Sequence, residues 1–436
     1  MRCSTYNLGL FLLFFASLGL FDCLAVRAEP FDLQAGNGRH WYRGNMHTHS
    51  LWSDGDDYLD NIALWYRENG YQFLVFTDHN VLADTERWID VEKSKGGQNA
   101  FEKFKSQFPE HVQERTNAED KLEVRLNTFQ DVAGRLIIPD EFLLIQGEEI
   151  SDEFEKAPIH ICASNIQEVI PPMKGGSVAE TIQNNFRAVN SQREKTGIPM
   201  IAHLNHPNFG YAITAEDMML IRGEQFFEVY NGHPWVNNQG DHLHASCDRI
   251  WDILLTGRLG EYQLPALYGL ATDDSHDHHE LGDRKSNPGR GWVMVLAEEL
   301  SVESLIDALE AGQFYASSGV ALRRIAVTPQ EYSVEVEPVD GEEYEIEFIG
   351  TREGYDWSNK PVVDEEGSEV RTTHHYSDDI GETLATVKGT EANYKFKGDE
   401  LYVRARVTSS AKAENASFDD GPKRAWSQPV DLTKPQ

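Results

Sequence analysis

The stretch from Asn45 to Asn80 constrains this chain more than any other. It reads Asn45-Met46-His47-Thr48-His49-Ser50-Leu51-Trp52-Ser53-Asp54-Gly55, passes through a helix-like segment, and ends Phe73-Leu74-Val75-Phe76-Thr77-Asp78-His79. Side chains alternate along an extended chain, so His47 and His49 point to one side and can grip one ion. Asp54 follows in a tight Ser-Asp-Gly turn, from which a carboxylate can swing back toward the same spot. Tyr58 to Asn69 carries Leu59, Ile62, Ala63 and Tyr66 at helical spacing and stops at Gly70. The apolar run from Gln72 to Phe76 then delivers Asp78 and His79 at its C-terminal end. This is a β-α-β unit with metal-type residues after both strands. In parallel α/β folds, active sites gather at that end.

The same rhythm recurs downstream. Phe142 to Gln146 reads as a strand ending in Gly147-Glu148-Glu149, and Pro158 to Ser164 as another carrying His160. Val178 to Thr196 is an amphipathic helix. Pro199 to Ala202 is a strand ending in His203-Leu204-Asn205-His206-Pro207, followed by strands over Phe227 to Tyr230 and Ala266 to Ala271. The last of these ends in Thr272-Asp273-Asp274-Ser275-His276, and Ser301 to Ala311 is a helix stopped by Gly312. Such alternation favours a closed or nearly closed parallel barrel over a sandwich. Between them, about residues 81–140, lies a charged, helix-rich insertion with Trp88, Phe101, Phe104 and Phe108 spaced for one buried face. It reads equally as a substrate lid or a surface excursion. Beyond residue 322 the texture changes to two-residue alternation, as in Leu401 to Thr408, so residues 323–436 read as a small β-rich accessory domain after the barrel-like domain at 29–322. His374 and His375 fall in a polar loop there and read as solvated.

The 436 residues suit one large domain and a smaller one. A formal charge of −33 argues against nucleic acid and anionic membrane as partners. It does not exclude a small anionic substrate, because bound cations dominate a local field. Residues 1–28 have the form of a cleavable export signal: Arg2, the apolar run Leu8 to Leu20, then Val26-Arg27-Ala28. The expected location is secreted or periplasmic. Cys162 and Cys247 remain after cleavage, and their pairing is open.

His47, His49, Asp54, His79, Glu149, His160, His206, Asp274 and His276 all fall at or just after the ends of the strands read above. They are the imidazole and carboxylate types that hold zinc, manganese or iron. Parallel neighbouring strands bring such ends to one pocket. Glu148 beside Glu149, and His203 near His206, are alternatives at their positions.

The ordered series His47-Thr48-His49, Asp54-Gly55, Thr77-Asp78-His79, Gly147-Glu148-Glu149, His160, His206-Pro207 and Asp274-Ser275-His276 resembles the PHP (polymerase and histidinol phosphatase) family, and within it the CehA/McbA-type metallohydrolases. The match spans roughly residues 40–320. The resemblance implies a distorted (β/α)7 barrel with two or three divalent ions (Zn, Mn or Fe) at the strand C-termini. It implies that His47, His49, Glu149 and Asp274 hold one ion, that Glu149 bridges to a second held by His160 and His206, and that Asp54, His79 and His276 hold a third. Asp54 stands where some relatives have histidine.

On such a centre a metal-activated hydroxide attacks phosphorus or a carbonyl carbon. The expected activity is hydrolysis of phosphate esters; a carboxylic- or carbamic-ester or amide hydrolase is the alternative, and an inactive metal-retaining binding module a third reading. Arg290, in Gly289-Arg290-Gly291, is a candidate for binding an anionic group, and His278 or His279 for a proton donor. Asp78 and Asp273 are candidates to orient imidazoles. Basic residues at the pocket would favour phosphate. An apolar wall of Trp52, Trp235 or Trp292 would favour an aryl ester. The substrate is therefore expected to be a small molecule.

Overall fold

The computed structural model describes residues 29–433 apart from 414 and 419, so the expected export signal at 1–28 lies outside the described residues. Nine strands frame the region of interest: β1 His40–Asn45, β2 Phe73–Phe76, β3 Leu143–Phe154, β4 Ala157–Ser164, β5 Ile201–Leu204, β6 Phe226–Asn231, β7 Tyr268–Thr272, β8 Trp292–Ala297 and β9 Phe314–Ser317. Helix α1, Leu59–Glu68, follows β1 and buries Leu59, Ile62, Ala63 and Tyr66 along one face. It leads into β2, whose four residues are all buried, as a strand covered on both faces requires.

The hydrogen-bonded ladder runs β7-β6-β5-β4-β3-β2-β1-β8-β9. The pairs β1/β2, β2/β3, β5/β6 and β6/β7 are parallel. The pairs β3/β4, β4/β5, β1/β8 and β8/β9 are antiparallel. The structure is thus mixed α/β, and the expected closed barrel of seven β/α units is not found among the described residues. The physical reason lies at Glu155-Lys156, where β3 turns directly into β4. Glu155 takes a left-handed φ of 56°, and the hairpin leaves no chain for a crossover helix. Beyond the ladder, a parallel bridge joins Thr48 to Ser275, just past β1 and β7.

The insertion is part sheet rather than mainly helical. Arg87–Asp90, Glu114–Thr116 and Leu122–Leu126 form a three-stranded antiparallel sheet beside α2 (Gly97–Gln107) and α3 (Phe129–Leu136), the latter started by a Thr128–Asp131 capping box. Phe101 and Phe104 pack on Tyr58 and Leu59 ahead of and within α1. Helix α4, Val178–Thr196, is capped by the Ser177 hydroxyl and ends at Gly197 with a φ of 70°.

The ladder continues without a break into the C-terminal region, from β9 through Arg424–Ser427 and Glu400–Ser409 to Tyr344–Arg352. A further four-stranded sheet there takes in the N-terminal strand Phe31–Gln34, paired with Ala321–Val327. The fully buried Arg404 ties this region to α6 (Cys247–Thr256), which follows the short α5 (Ala215–Met218), donating from Nε to Asp252 Oδ1 at 2.8 Å and from Nη2 to Oδ2 at 2.7 Å. Among the described residues no helix is long and apolar enough to cross a membrane.

Candidate metal centre

The pleat of the chain after β1 is pinned on both sides. Thr48 N donates to Thr77 Oγ1 and His49 N to the Ser275 carbonyl, each at 2.9 Å, so His47 and His49 project together into the interior with no exposure. The turn carrying Asp54 folds back because Gly55 lies flat on the His49 backbone, where a Cβ would fall 2.5 Å from the carbonyl oxygen. Along β3 the two-residue period sends Glu149 inward and Glu148 to the opposite face. There Glu148 accepts from Ile170 N at 2.6 Å, and burial pushes it up to about 7. His206 and Asp274 follow β5 and β7 at positive φ values of 25° and 50°, strained positions of the kind found at functional sites.

These placements converge on Glu149. Its Oε1 lies 3.3 Å from His47 Nε2, 3.1 Å from His160 Nδ1 and 3.5 Å from His206 Nε2. Its Oε2 lies 3.4 Å from His49 Nε2 and 2.7 Å from His79 Nδ1. Asp274 Oδ1 is 3.2 Å from His47 Nε2 and 3.3 Å from His49 Nε2. Asp54 Oδ1 is 3.3 Å from His276 Nε2 and 3.5 Å from His79 Nε2. Donor atoms close enough to share an ion therefore fall into the sets His47–His49–Asp274, His79–Glu149–His160 and His49–Asp54–His79–His276, and a fourth set is His47–Cys162–His203. All nine expected ligands stand in one neighbourhood, but the partition differs from the expected one. His79 is shared between Glu149 and Asp54, and His206 stands at the edge of the Glu149 set.

Two features test whether this donor set suits a metal. His47 Nε2 and His49 Nε2 are buried and make no hydrogen bond, an arrangement costly to leave unsatisfied. The separations of 3.2–3.4 Å between these nitrogens and the carboxylate oxygens also match two ligands each about 2.1 Å from a common ion. The residues fit divalent ions.

Electrostatics keeps the carboxylates ready. Burial works to raise Glu149 and Asp274, but the imidazoles of His79, His160 and His47 around the first, and of His47, His49 and His276 around the second, hold both well below the carboxylate range. Burial would lower His79, and Glu149 followed by Asp54 outweighs it, raising His79 to about 9. Glu224 is lifted to about 8 by burial. Groups raised in this way hold protons in the folded chain that the unfolded chain has released, so their stabilisation is lost as pH rises. The metal-free protein is expected to lose thermal stability progressively from pH 6.5 to 9, as His79, Glu148 and Glu224 pass through that window. Scanning calorimetry in chelator checks this; a Tm that climbs across the window contradicts it.

A second layer supports the ligands. Glu228 Oε1 takes His47 Nδ1 and Thr272 Oγ1, both at 2.7 Å, while Oε2 accepts from His206 N at 2.7 Å and Asn231 Nδ2 at 2.8 Å. Asn205 Nδ2 donates to Glu149 Oε1 at 2.6 Å. Sequence reading passed over both, although a lone carboxylate inside the apolar run Phe226–Tyr230 was a signal that a buried charge must be paired. Glu228→Gln is expected to weaken metal binding about 10–100-fold, measured by chelator competition. Unchanged affinity would show that Glu228 does not orient His47.

Several expected roles are corrected. Asp78 accepts from Ser50 N, Ser50 Oγ and Ser53 Oγ, holding the His49–Asp54 turn rather than an imidazole. Asp273 gathers the N–H groups of Gly289, Arg290 and Gly291 and the Tyr66 hydroxyl. Arg290 is buried, four of its five guanidinium N–H groups donate to the carbonyls of Asn415, Gly232, Lys285 and Gly282, and it does not line the pocket above the ligands. His278 sits behind the site with Nε2 3.2 Å from the His49 carbonyl oxygen, and does not line the pocket. His203 is buried beside Cys162 and His47, also away from the pocket. Cys162 and Cys247 are both buried and unpaired.

The pocket above the ligands holds about 350 Å³. Lys95, contributed by the insertion, and Arg284 supply positive charge at its rim, and Phe209, His233, Pro234 and Trp235 form another wall. Of the aromatic residues considered for that wall only Trp235 is there; Trp52 is buried with its Nε1 bonded to the Asn127 carbonyl, and Trp292 lies under Arg43. Trp235 N donates to His233 Nδ1 at 3.2 Å, which leaves the proton of the neutral ring on Nε2. Burial lowers His233 to about 4.

No family model matches the chain, and no curated protein matches it. Among solved structures, the chain is similar to a two-domain protein containing a predicted PHP-like metal-dependent phosphoesterase from Bacteroides vulgatus. That similarity has 14% identity and a TM-score of 0.38, over 91% of this chain and 97% of the other. It is also similar to a candidate metal-dependent phosphoesterase from Bifidobacterium adolescentis, with 13% identity and a TM-score of 0.28 over 61% of this chain and 95% of that one.

Proposed function

We propose that this chain is a metal-dependent hydrolase of the PHP type, acting on phosphate esters. The observation that carries the reading is the gathering of nine imidazole and carboxylate side chains, five of the histidines directly around Glu149, with the buried Nε2 atoms of His47 and His49 left without partners. His47, His49 and Asp274 would hold one ion, His79, Glu149 and His160 a second, and Asp54 with His276 a third. When bound, such ions lower the pKa of water and supply positive charge to the oxygens of the reacting ester. The chain's own groups do the rest. Lys95 and Arg284 attract an anionic group to the mouth of an otherwise acidic protein. Glu149 and Asp274 stay deprotonated throughout the neutral range. His233 offers the Nε2 proton to an oxygen in the pocket. Phe209 and Trp235 form an apolar wall on one side.

That apolar wall is also what favours the second reading, a carboxylic- or carbamic-ester hydrolase on the same centre, since one activated nucleophile serves both chemistries. Turnover of purified protein on paired aryl phosphate and aryl acetate substrates separates them. Phosphate-only turnover that chelator abolishes supports the phosphoesterase. Acetate-only turnover moves the protein to the second class. The division at residues 322/323 and export after cleavage behind Ala28 complete the proposal. N-terminal sequencing from the native host is expected to begin at Glu29.

A further inference from the structure

The pocket over the candidate ligands shares a wall with a second cavity. Phe209 and Trp235 line it, and the same two side chains line a larger cavity of about 800 Å³ on their far side. Trp235 is 68% exposed, yet its backbone is braced. Trp235 N donates to His233 Nδ1, Val236 N to the His233 carbonyl at 3.1 Å, and Phe209 and Val236 form an antiparallel bridge that joins the two walls. Asn231 and Asn238 close the base of this loop through two reciprocal hydrogen bonds of 3.1 and 2.8 Å. A flexible loop would turn an indole inward; a braced one holds it open at a standing cost in exposed apolar area.

We infer that the larger cavity is a subsite for the organic portion of the substrate: a ring-bearing alcohol whose flat face stacks on Trp235 beside Phe209 while the reacting group lies among the histidines. The inference rests on the hydrolase reading above. Three observations argue for a ring and for this size. The shared aromatic wall presents an open indole face. The cavity beyond it is larger than the reacting pocket and within the range of small-molecule sites. Its lining mixes apolar Phe154 and Val178 with polar Ser177 and Asn237. The shared chemistry is a six-membered ring with a flat face, whether a pyranose or an aryl group. Polar wall groups would favour the first and apolar ones the second.

The test uses probes without phosphorus, so that it stands apart from the reaction. Saturation-transfer NMR is recorded on the mature chain in chelator with phenol, methyl glucoside and glycerol, for wild type, Trp235→Ala and Ala157→Trp. The second variant fills the cavity from the start of β4 and covers the case in which the first misfolds. Transfer to the ring protons of phenol or methyl glucoside, at least fivefold above glycerol and lost in either folded variant, supports the subsite, and the ring that responds identifies the source. No transfer to either ring, or transfer unaffected by both variants, overturns it. With metal restored, the kcat/KM ratio of the corresponding ring-bearing phosphate over glycerol phosphate is expected to fall at least fivefold in the same variants. Absence of phosphate turnover alongside retained ring binding would overturn the phosphoesterase reading and leave the subsite standing.

Discussion

Glu149→Ala is expected to cut turnover by about a thousandfold or more and to empty most of the metal centre, read as ions retained per chain after gel filtration. Among the described residues the carboxylate is the one group within 3.5 Å of His47, His49, His79, His160 and His206 together. Its removal leaves those imidazoles facing one another without the negative charge that draws cations between them. In metal-free protein the same change removes the buried partner of several histidines, so a loss of about 3–5 kcal/mol of stability is expected as well. Glu148→Gln is the internal control. That side chain faces Ile170 on the other side of β3, and its replacement should keep metal and turnover. Full activity in Glu149→Ala, or an equal loss in Glu148→Gln, would contradict the placement.

Arg404→Ala is expected to destabilise the protein by about 3–5 kcal/mol, read from the urea midpoint. The guanidinium is fully buried and bidentate to Asp252, with Asp248 3.1 Å from Nη2 and the Trp251 ring 4.7 Å from its carbon. Alanine leaves Asp252 buried with its charge uncompensated and opens a cavity under Trp251. Both acids sit on α6, and Arg404 on the strand Glu400–Ser409. The pair therefore carries the contact between the C-terminal strands and the layer that bears β6 and Glu228. Arg404→Met combined with Asp252→Leu should recover much of the loss, because it removes both charges and keeps the volume. A double variant no better than the single would mean that packing, not charge, dominates there.

What was legible in the sequence followed from local periodicity. His47 and His49 one residue apart, Asp78-His79 after an apolar run, and Asp274-Ser275-His276 after another are all strand-end signatures, and the structure brings His47, His49, His79, Asp274 and His276 into one cluster. The choice between Glu148 and Glu149, open in the sequence, is made by the pleat of β3, which turns Glu149 to the histidines and Glu148 to Ile170. What was not legible depended on partners distant in the chain. The β3/β4 hairpin turns at Glu155-Lys156, where no glycine or proline announces it, so an antiparallel pair was read as part of a parallel barrel. Glu228 supports His47 across 181 positions. Arg290 looked like an anion-binding turn because its neighbours are glycines. Its carbonyl partners include Asn415, which only the fold brings near. In the insertion, Glu114–Thr116 has no apolar residue to announce a strand, and Leu122–Leu126, which does alternate, is only five residues long inside a charged stretch that reads as helical.

The central claim is that Glu149 and its surrounding histidines and aspartates hold divalent ions for hydrolysis. Anomalous diffraction from crystals grown with zinc or manganese, collected on both sides of the metal edge, tests it most directly. Two or three anomalous peaks, each within bonding distance of imidazole nitrogens and a carboxylate of the Glu149, Asp274 and Asp54 sets, are the predicted result. Ordered, intact side chains at these positions with no anomalous peak among them, at metal concentrations that saturate the protein, would contradict it.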